Sequence, residues 1–287
     1  MKSVSVPVRM VGAGSQVEEE PLQYLDMPRD MRTFEMPRVP EVGDTDALVA
    51  ARDLLAGMLS ELDRWSPADG RNLRFALDAL TPRALTVINE MLGDGEVSIQ
   101  LGGPRHFRIQ ESVFTGLWRV VEVAADGSMV DHWLEAGRLP DVVVEAAKAG
   151  ARSELPLVEI PPGAMNSPAL LHELRAQIES RRSGDPAHVL NLTLFPMTLE
   201  DHQVLERALP VGAVAIISRG FGNCRITSTG ARDIWRVQYF NSMNTLILNT
   251  IEVVDIPEVA LAAEEDLADT RGRLAELIDW MSESCPA

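Results

Sequence analysis

Cysteine is scarce in this chain. Only Cys224 and Cys285 occur among 287 residues. Two thiols cannot staple a disulfide-dependent scaffold. Fe–S and structural zinc sites each need about four soft ligands, which two cysteines do not supply. No stretch approaches the roughly 20 apolar residues of a membrane-spanning helix. Lys2 is followed by a polar, proline-containing stretch, not by the apolar core of a secretion signal. A cytoplasmic protein without membrane insertion is therefore expected. Basic residues are also few: 26 Lys plus Arg stand against 43 Asp plus Glu, a formal net charge of -17. That field repels phosphate backbones and anionic lipid, so nucleic acid is excluded as the expected partner, and a basic protein partner is favoured. Neither C-x-x-C nor H-E-x-x-H occurs, and the five histidines lack ligand spacing. No metal, cofactor or catalytic residue is expected.

What is present is a duplication. Trp118-Arg119-Val120 recurs 117 residues later as Trp235-Arg236-Val237. In the same register Arg108-Ile109 falls on Arg225-Ile226, and Gly95, Val97 and Ile99 on Gly212, Val214 and Ile216. The match needs no gap from Thr81 to Ala146, which chance would not sustain. In each copy an apolar stripe predicts a helix, over 46–65 and 168–182. A strand follows, from the alternation of Leu73, Phe75 and Leu77 and of Leu190, Leu192 and Leu194. Thr81-Pro82 and Thr198 with Asp201 read as helix starts. Four strands come next, with Gly-rich turns between them. A last helix opens at Pro140 and at Pro257, the second running on to about Met281. The expected fold class is α+β: two tandem copies of a helix-covered antiparallel-sheet unit, α-β-α-β-β-β-β-α. An extended arm is expected over 1–43, unit one over 44–149, a linker over 150–163 and unit two over 164–287.

Cys224 carries the most chemistry. It follows the turn Gly220-Phe221-Gly222-Asn223 and precedes Arg225, a cation that would favour thiolate. The alternative is a small packed hydrophobe. Glu111 has no carboxylate neighbour in sequence with which to share a proton. Trp118 and Trp235 suit packing. Arg119 and Arg236 alternate to the opposite strand face and could bind acids or a partner. The C-terminal segment is rich in acid, with Glu264, Glu265 and Asp266 consecutive. It reads as a solvated helix face or as a docking face for a basic segment.

The block from Ile109 to Val120, and the longer one from Gly220 through Trp235, Gln238 and Leu246 to Ala260, resemble signatures of one family. So does the arm from Gly14-Ser15-Gln16 to Met36-Pro37. The chain resembles the HupH/HyaF type of hydrogenase expression/formation protein over nearly its whole length. The second block is the more specific, and Ala13 and Phe221 are minor departures. The resemblance implies an accessory role in maturing uptake NiFe hydrogenases, as a chaperone of the Fe–S-carrying small subunit before its twin-arginine export. It also implies a thioredoxin-like accessory partner and protection of the small subunit when oxygen is present. No catalytic residue comes with it. A thiol-dependent factor working through Cys224 is the alternative.

Overall fold

A computed structural model describes residues 45–220 and 222–284. The expected arm over 1–43 lies outside them, as do Phe221 and Cys285. Copy one runs α1 (Thr45–Leu62), β1 (Leu73–Ala76), α2 (Pro82–Leu92), β2 (Val97–Leu101), β3 (His106–Glu111), β4 (Leu117–Val123), β5 (Met129–Ala136) and α3 (Asp141–Lys148). Copy two runs α4 (Ser167–Ser180), β6 (His188–Asn191), α5 (Leu199–Ala208), β7 (Val211–Ser218), β8 (Asn223–Thr229), β9 (Ile234–Phe240), β10 (Leu246–Val253) and α6 (Glu264–Ser284). The predicted order holds in both copies, and the fold is α+β.

All the described strands join one antiparallel sheet in the order β1-β5-β4-β3-β2-β7-β8-β9-β10-β6. The copies meet edge to edge through β2 and β7, where Ile99 pairs with Ile216. Those two residues hold the same place in the repeat. A pseudo-twofold axis therefore passes through that pair, and each copy covers the edge strand that the other would leave bare. One face of the sheet, here the near face, packs a core drawn from both copies, including Ile99, Trp118, Trp133, Ile216, Ile226 and Trp235. Val143 of α3 and Ala260 close over it. Among the described residues, helices pack on the far face towards its two ends. Over copy one lie α1, α2 and α6; over copy two lie α4 and α5.

Backbone detail repeats with the sequence. A Cβ on Gly95 would stand 2.2 Å from the Ser112 carbonyl oxygen, and one on Gly212 would stand 2.6 Å from that of Thr229. Only glycine lets the β3–β4 and β8–β9 corners come this close. Gly116 and its counterpart Asp233 both take positive φ, at 78° and 59°.

Two expectations fail locally. Leu192–Leu194 forms a 3-10 turn, not the end of a strand. The Asn191 side chain accepts the Thr193 N–H, and the Thr193 hydroxyl accepts the Asn249 N–H, so side-chain bonds replace the backbone ladder to β10 here. The last helix does not begin at Pro257. Glu258–Ala260 is a 3-10 turn, and Ala262 then exchanges bonds with Arg138 through both of its backbone groups. That clamp carries the chain across to copy one, where Leu267, Leu274 and Met281 of α6 enter the core beneath α1 and α2. Residues 150–163 run along copy two: Arg152 bridges Ala231 in parallel and Leu155 is buried.

Candidate functional site

The candidate residues of copy one converge on the β3–β4 corner, Glu111 to Gly116. The Ser112 hydroxyl bridges within the loop to both backbone groups of Phe114. The Glu111 side chain turns back and accepts the Gly116 N–H at 3.0 Å. Helix α6 seals the corner from outside. The Thr270 hydroxyl donates to the Thr115 carbonyl, Arg273 donates to that of Val113, and the Arg273 guanidinium lies over the Phe114 ring. A Cβ on Gly116 would stand within bonding distance of the Leu267 side chain, so glycine is required twice over, by φ and by contact.

Burial is the main force acting on Glu111, and it pushes the carboxyl up to about 7 against an ordinary value of 4.5. The Gly116 N–H opposes the shift, while the charges of Glu96 and Asp266 add to it. Sequence shows Glu111 alone; the fold places two further carboxylates within its field. Of the acidic trio, Glu264, Glu265 and Asp266 form the exposed first turn of α6. Negative charge there complements the helix dipole. It also stands at the surface on a helix anchored below, which keeps both functions open to the same residues.

Trp118 lies beneath the corner, 1% exposed, and donates from Nε1 to the Gly137 carbonyl. Trp235 repeats this with the Asp255 carbonyl. Both are core residues. Arg119 points to the far face, where it pairs with Asp94 and donates to Asn89 at the end of α2. Arg236 occupies the matching half-buried far-face position, between Thr227 and Ile251.

Cys224 behaves differently from what Arg225 beside it suggests. Alternation sends the two side chains to opposite faces. Arg225 lies over the Phe240 ring, while the thiol enters the near-face core at 3% exposure. Burial pushes the thiol up to about 11, only partly opposed by its bond with Tyr239. Burial and the same thiol push Tyr239 up to about 12. At neutral pH Cys224 is a protonated, packed group and a poor nucleophile. Gly220, Gly222 and Asn223 form the exposed turn before it.

The ladder relates these positions. Trp118 pairs with Glu111 across β3 and β4, and Ser218 pairs with Cys224 across β7 and β8. Both pairs face the near-side core. Glu111 and Cys224 stand three strand steps apart, roughly 14 Å at about 4.8 Å per step. They cannot exchange a proton directly. Among the described residues, no three His, Cys, Asp or Glu side chains are grouped to hold a metal ion.

Asp201 was visible only as a capping residue, yet it is a fully buried anchor. One oxygen accepts the N–H groups of Met165, Asn166 and Ser167 at the start of α4, and the other that of Thr198 at the start of α5. Burial raises its pKa, but these bonds outweigh it and hold the carboxyl down at about 2. The Thr198–Asp201 spacing was the only sign of this in sequence.

Strand charges are sorted by face. Glu111, Glu122, Asp131, Glu135 and Glu252 all lie on the near face, with Arg74. Arg108, Arg119, Arg225 and Arg236 all lie on the far face, where the described strands supply no acid.

Fold and corner together define a duplicated α+β scaffold whose halves share one sheet and one core. The chain belongs to the HupH family. The family model described as the HupH hydrogenase expression protein, C-terminal conserved region, matches twice, over residues 48–160 and 164–281. The chain is 43% identical over 282 residues to hydrogenase expression/formation protein HoxQ of Cupriavidus necator, covering 98% of this chain and 99% of that one. It is 31% identical over 283 residues to hydrogenase-1 operon protein HyaF of Escherichia coli, covering 96% and 97%. Among solved structures it matches the hydrogenase expression protein HupH from Thiobacillus denitrificans at 24% identity and a TM-score of 0.36, over 40% of this chain and 95% of that one.

Proposed function

We propose that this protein is a non-catalytic maturation factor for a hydrogenase, acting as a chaperone of the Fe–S-carrying small subunit of an uptake NiFe enzyme before its export. The observation that carries the reading is the end-to-end match to relatives named hydrogenase expression/formation proteins, with 98% of this chain aligned to the first. The helix geometry supports action by binding. Helix α6 is pinned at both its start and its body, so Glu264, Glu265 and Asp266 are presented on a fixed platform. A preorganised acidic platform suits a basic segment, such as a twin-arginine signal, because little entropy is lost on docking. A thioredoxin-like accessory protein would act on the same complex.

The test is recovery of the small-subunit precursor on the tagged full-length chain, with and without its signal sequence. Recovery of the precursor that falls with added salt, and falls further in the Glu264→Lys, Glu265→Lys, Asp266→Lys variant, is the expected result. Recovery of the large subunit alone, or of no hydrogenase component, would end the proposal. Unchanged salt dependence in the triple variant would remove the acidic platform from it.

A further inference from the structure

Helix α6, 21 residues long, is anchored unevenly along its length. From Leu274 onwards it is set deep in the core of copy one. Leu274 and Met281 are wholly buried, and Leu277, Ile278 and Trp280 pack beside them. In its first two turns, Glu264–Arg271, only Leu267 and Thr270 are buried. Ala263, just before the helix, has no side-chain acceptor for the first-turn N–H groups. Between the two halves stands Gly272, with nothing within 4 Å of the place a Cβ would take. Glycine inside a helix weakens it at that point.

The two buried residues of the first turns close over one group. Leu267 packs on Gly116 and Thr270 donates to the Thr115 carbonyl, which shuts the corner where Glu111 accepts the Gly116 N–H. Asp266 is four residues before Thr270, so the two share a helix face and the Asp266 carboxylate is carried towards the corner. Glu96 approaches from the start of β2, its carboxylate against Gly220. Nearby cations are engaged elsewhere. Arg273 lies over Phe114, Arg271 donates to the Trp65 carbonyl, Arg138 pairs with Glu258, and Arg119 pairs with Asp94 across the sheet. Arg219 adjoins Glu96 through its backbone N–H. On β5, Glu135 is held by Asn72, Trp133 and the Asp141 N–H. Among the described residues, the charges that act on Glu111 are those of Glu96 and Asp266, both negative.

We propose that the first two turns of α6 are a proton-controlled latch on the β3–β4 corner. With Glu111 neutral the latch is shut. Ionised Glu111 is stabilised by water, and water reaches it when these turns lift, with Gly272 as the pivot and Leu274–Met281 left in the core beneath α1. Lifting also parts Glu111 from Asp266 and uncovers Leu267 and Phe114. In the lifted state Glu111 is an ordinary solvated carboxyl, while the shut state favours its proton. The opening constant therefore rises with pH. The latch is a property of the chain alone and does not depend on the partner proposed above.

Hydrogen exchange of the full-length chain, read by mass spectrometry at pH 5.5 and 7.5 and corrected for intrinsic rates, tests it. Protection of the amides of Leu267–Arg271 is expected to fall roughly twentyfold between the two, with Leu274–Met281 and α1 changing much less. Glu111→Gln should remove that fall. Gly272→Ala fits the open space and should raise protection of the same amides at pH 7.5 while the pH dependence stays. It leaves the corner untouched, so the test stands even where Glu111→Gln does not fold. Equal protection at both pH values would overturn the proposal, as would a fall that persists in Glu111→Gln or no gain in Gly272→Ala. Protection lost in step along all of α6 would also overturn it, because the helix would then leave as one unit.

Discussion

Replacing Glu111 by Gln should change the pH dependence of stability, with a sign fixed by the β3–β4 corner. In the unfolded chain this carboxyl titrates near 4.5, and in the fold at about 7. Between those values the folded protein binds the extra proton, so stability falls as pH rises through the window. The burden is absent below about 4.5 and complete above 7. At about 1.4 kcal/mol per pH unit it amounts to roughly 3 kcal/mol. Gln keeps an oxygen to accept the Gly116 N–H and carries no charge. It also brings an amide N–H₂ into a buried place, at a cost of about 1 kcal/mol. The expected balance at pH 8 is a gain of about 2 kcal/mol, and at pH 4.5 a small loss. Urea unfolding followed by tryptophan fluorescence at the two pH values measures both. Glu111→Ala, which abandons the Gly116 N–H, should destabilise at both. If Glu111→Gln shifts the urea midpoint equally at pH 4.5 and pH 8, the buried carboxylate is not what sets the pH dependence, and the reasoning fails.

Asp201 titrates the other way: held at about 2 against an ordinary 3.8, it stabilises above pH 4 by about 2 kcal/mol, and this is lost as pH falls towards 2. Asp201→Asn should therefore unfold in less urea at pH 7 and show a flatter acid transition by circular dichroism. Gly212→Ala should lower stability by about 2 kcal/mol or more, because its Cβ would meet the Thr229 carbonyl. Gly57→Ala in α1 meets nothing within 4 Å and should raise stability by up to about 1 kcal/mol, so thermal melts should move in opposite directions. Cys224 in a Cys285→Ser background should resist Ellman's reagent until the protein is unfolded; rapid labelling of native protein would contradict its burial.

The repeat was legible because its markers have local causes. Gly95 and Gly212 are fixed by corners that admit no Cβ, Trp118 and Trp235 by equivalent hydrogen bonds in the core, and Thr81 and Thr198 by caps. Period-two alternation located β4, β9 and β10 to the residue, because each keeps one side in the shared core. What escaped depends on contacts distant in sequence. Glu111 owes its raised pKa first to burial in a corner that α6 seals, with Glu96 and Asp266 adding to it. Cys224 points inward although Arg225 adjoins it. The break between Pro257 and Glu264 comes from Arg138. None of these partners lies within the window that periodicity can see.

The duplication is symmetric in the sheet and asymmetric outside it, and the asymmetry decides which surfaces exist. In copy one the β3–β4 corner is closed by α6, through Leu267, Thr270 and Arg273. In copy two the equivalent β8–β9 corner is closed by the linker, where Arg152 takes the Gly230 carbonyl and gives its own to Arg232. A helix of 21 residues thus serves one half, and an irregular strand serves the other. Leu77 is accordingly buried in a layer that holds α1, α2 and α6, whereas Leu194, over a layer of α4 and α5, faces outward. Doubling a module that leaves one edge and one corner open heals the edge by pairing and forces unlike solutions at the two corners. That inequality gives the two halves of an internally repeated fold different surfaces.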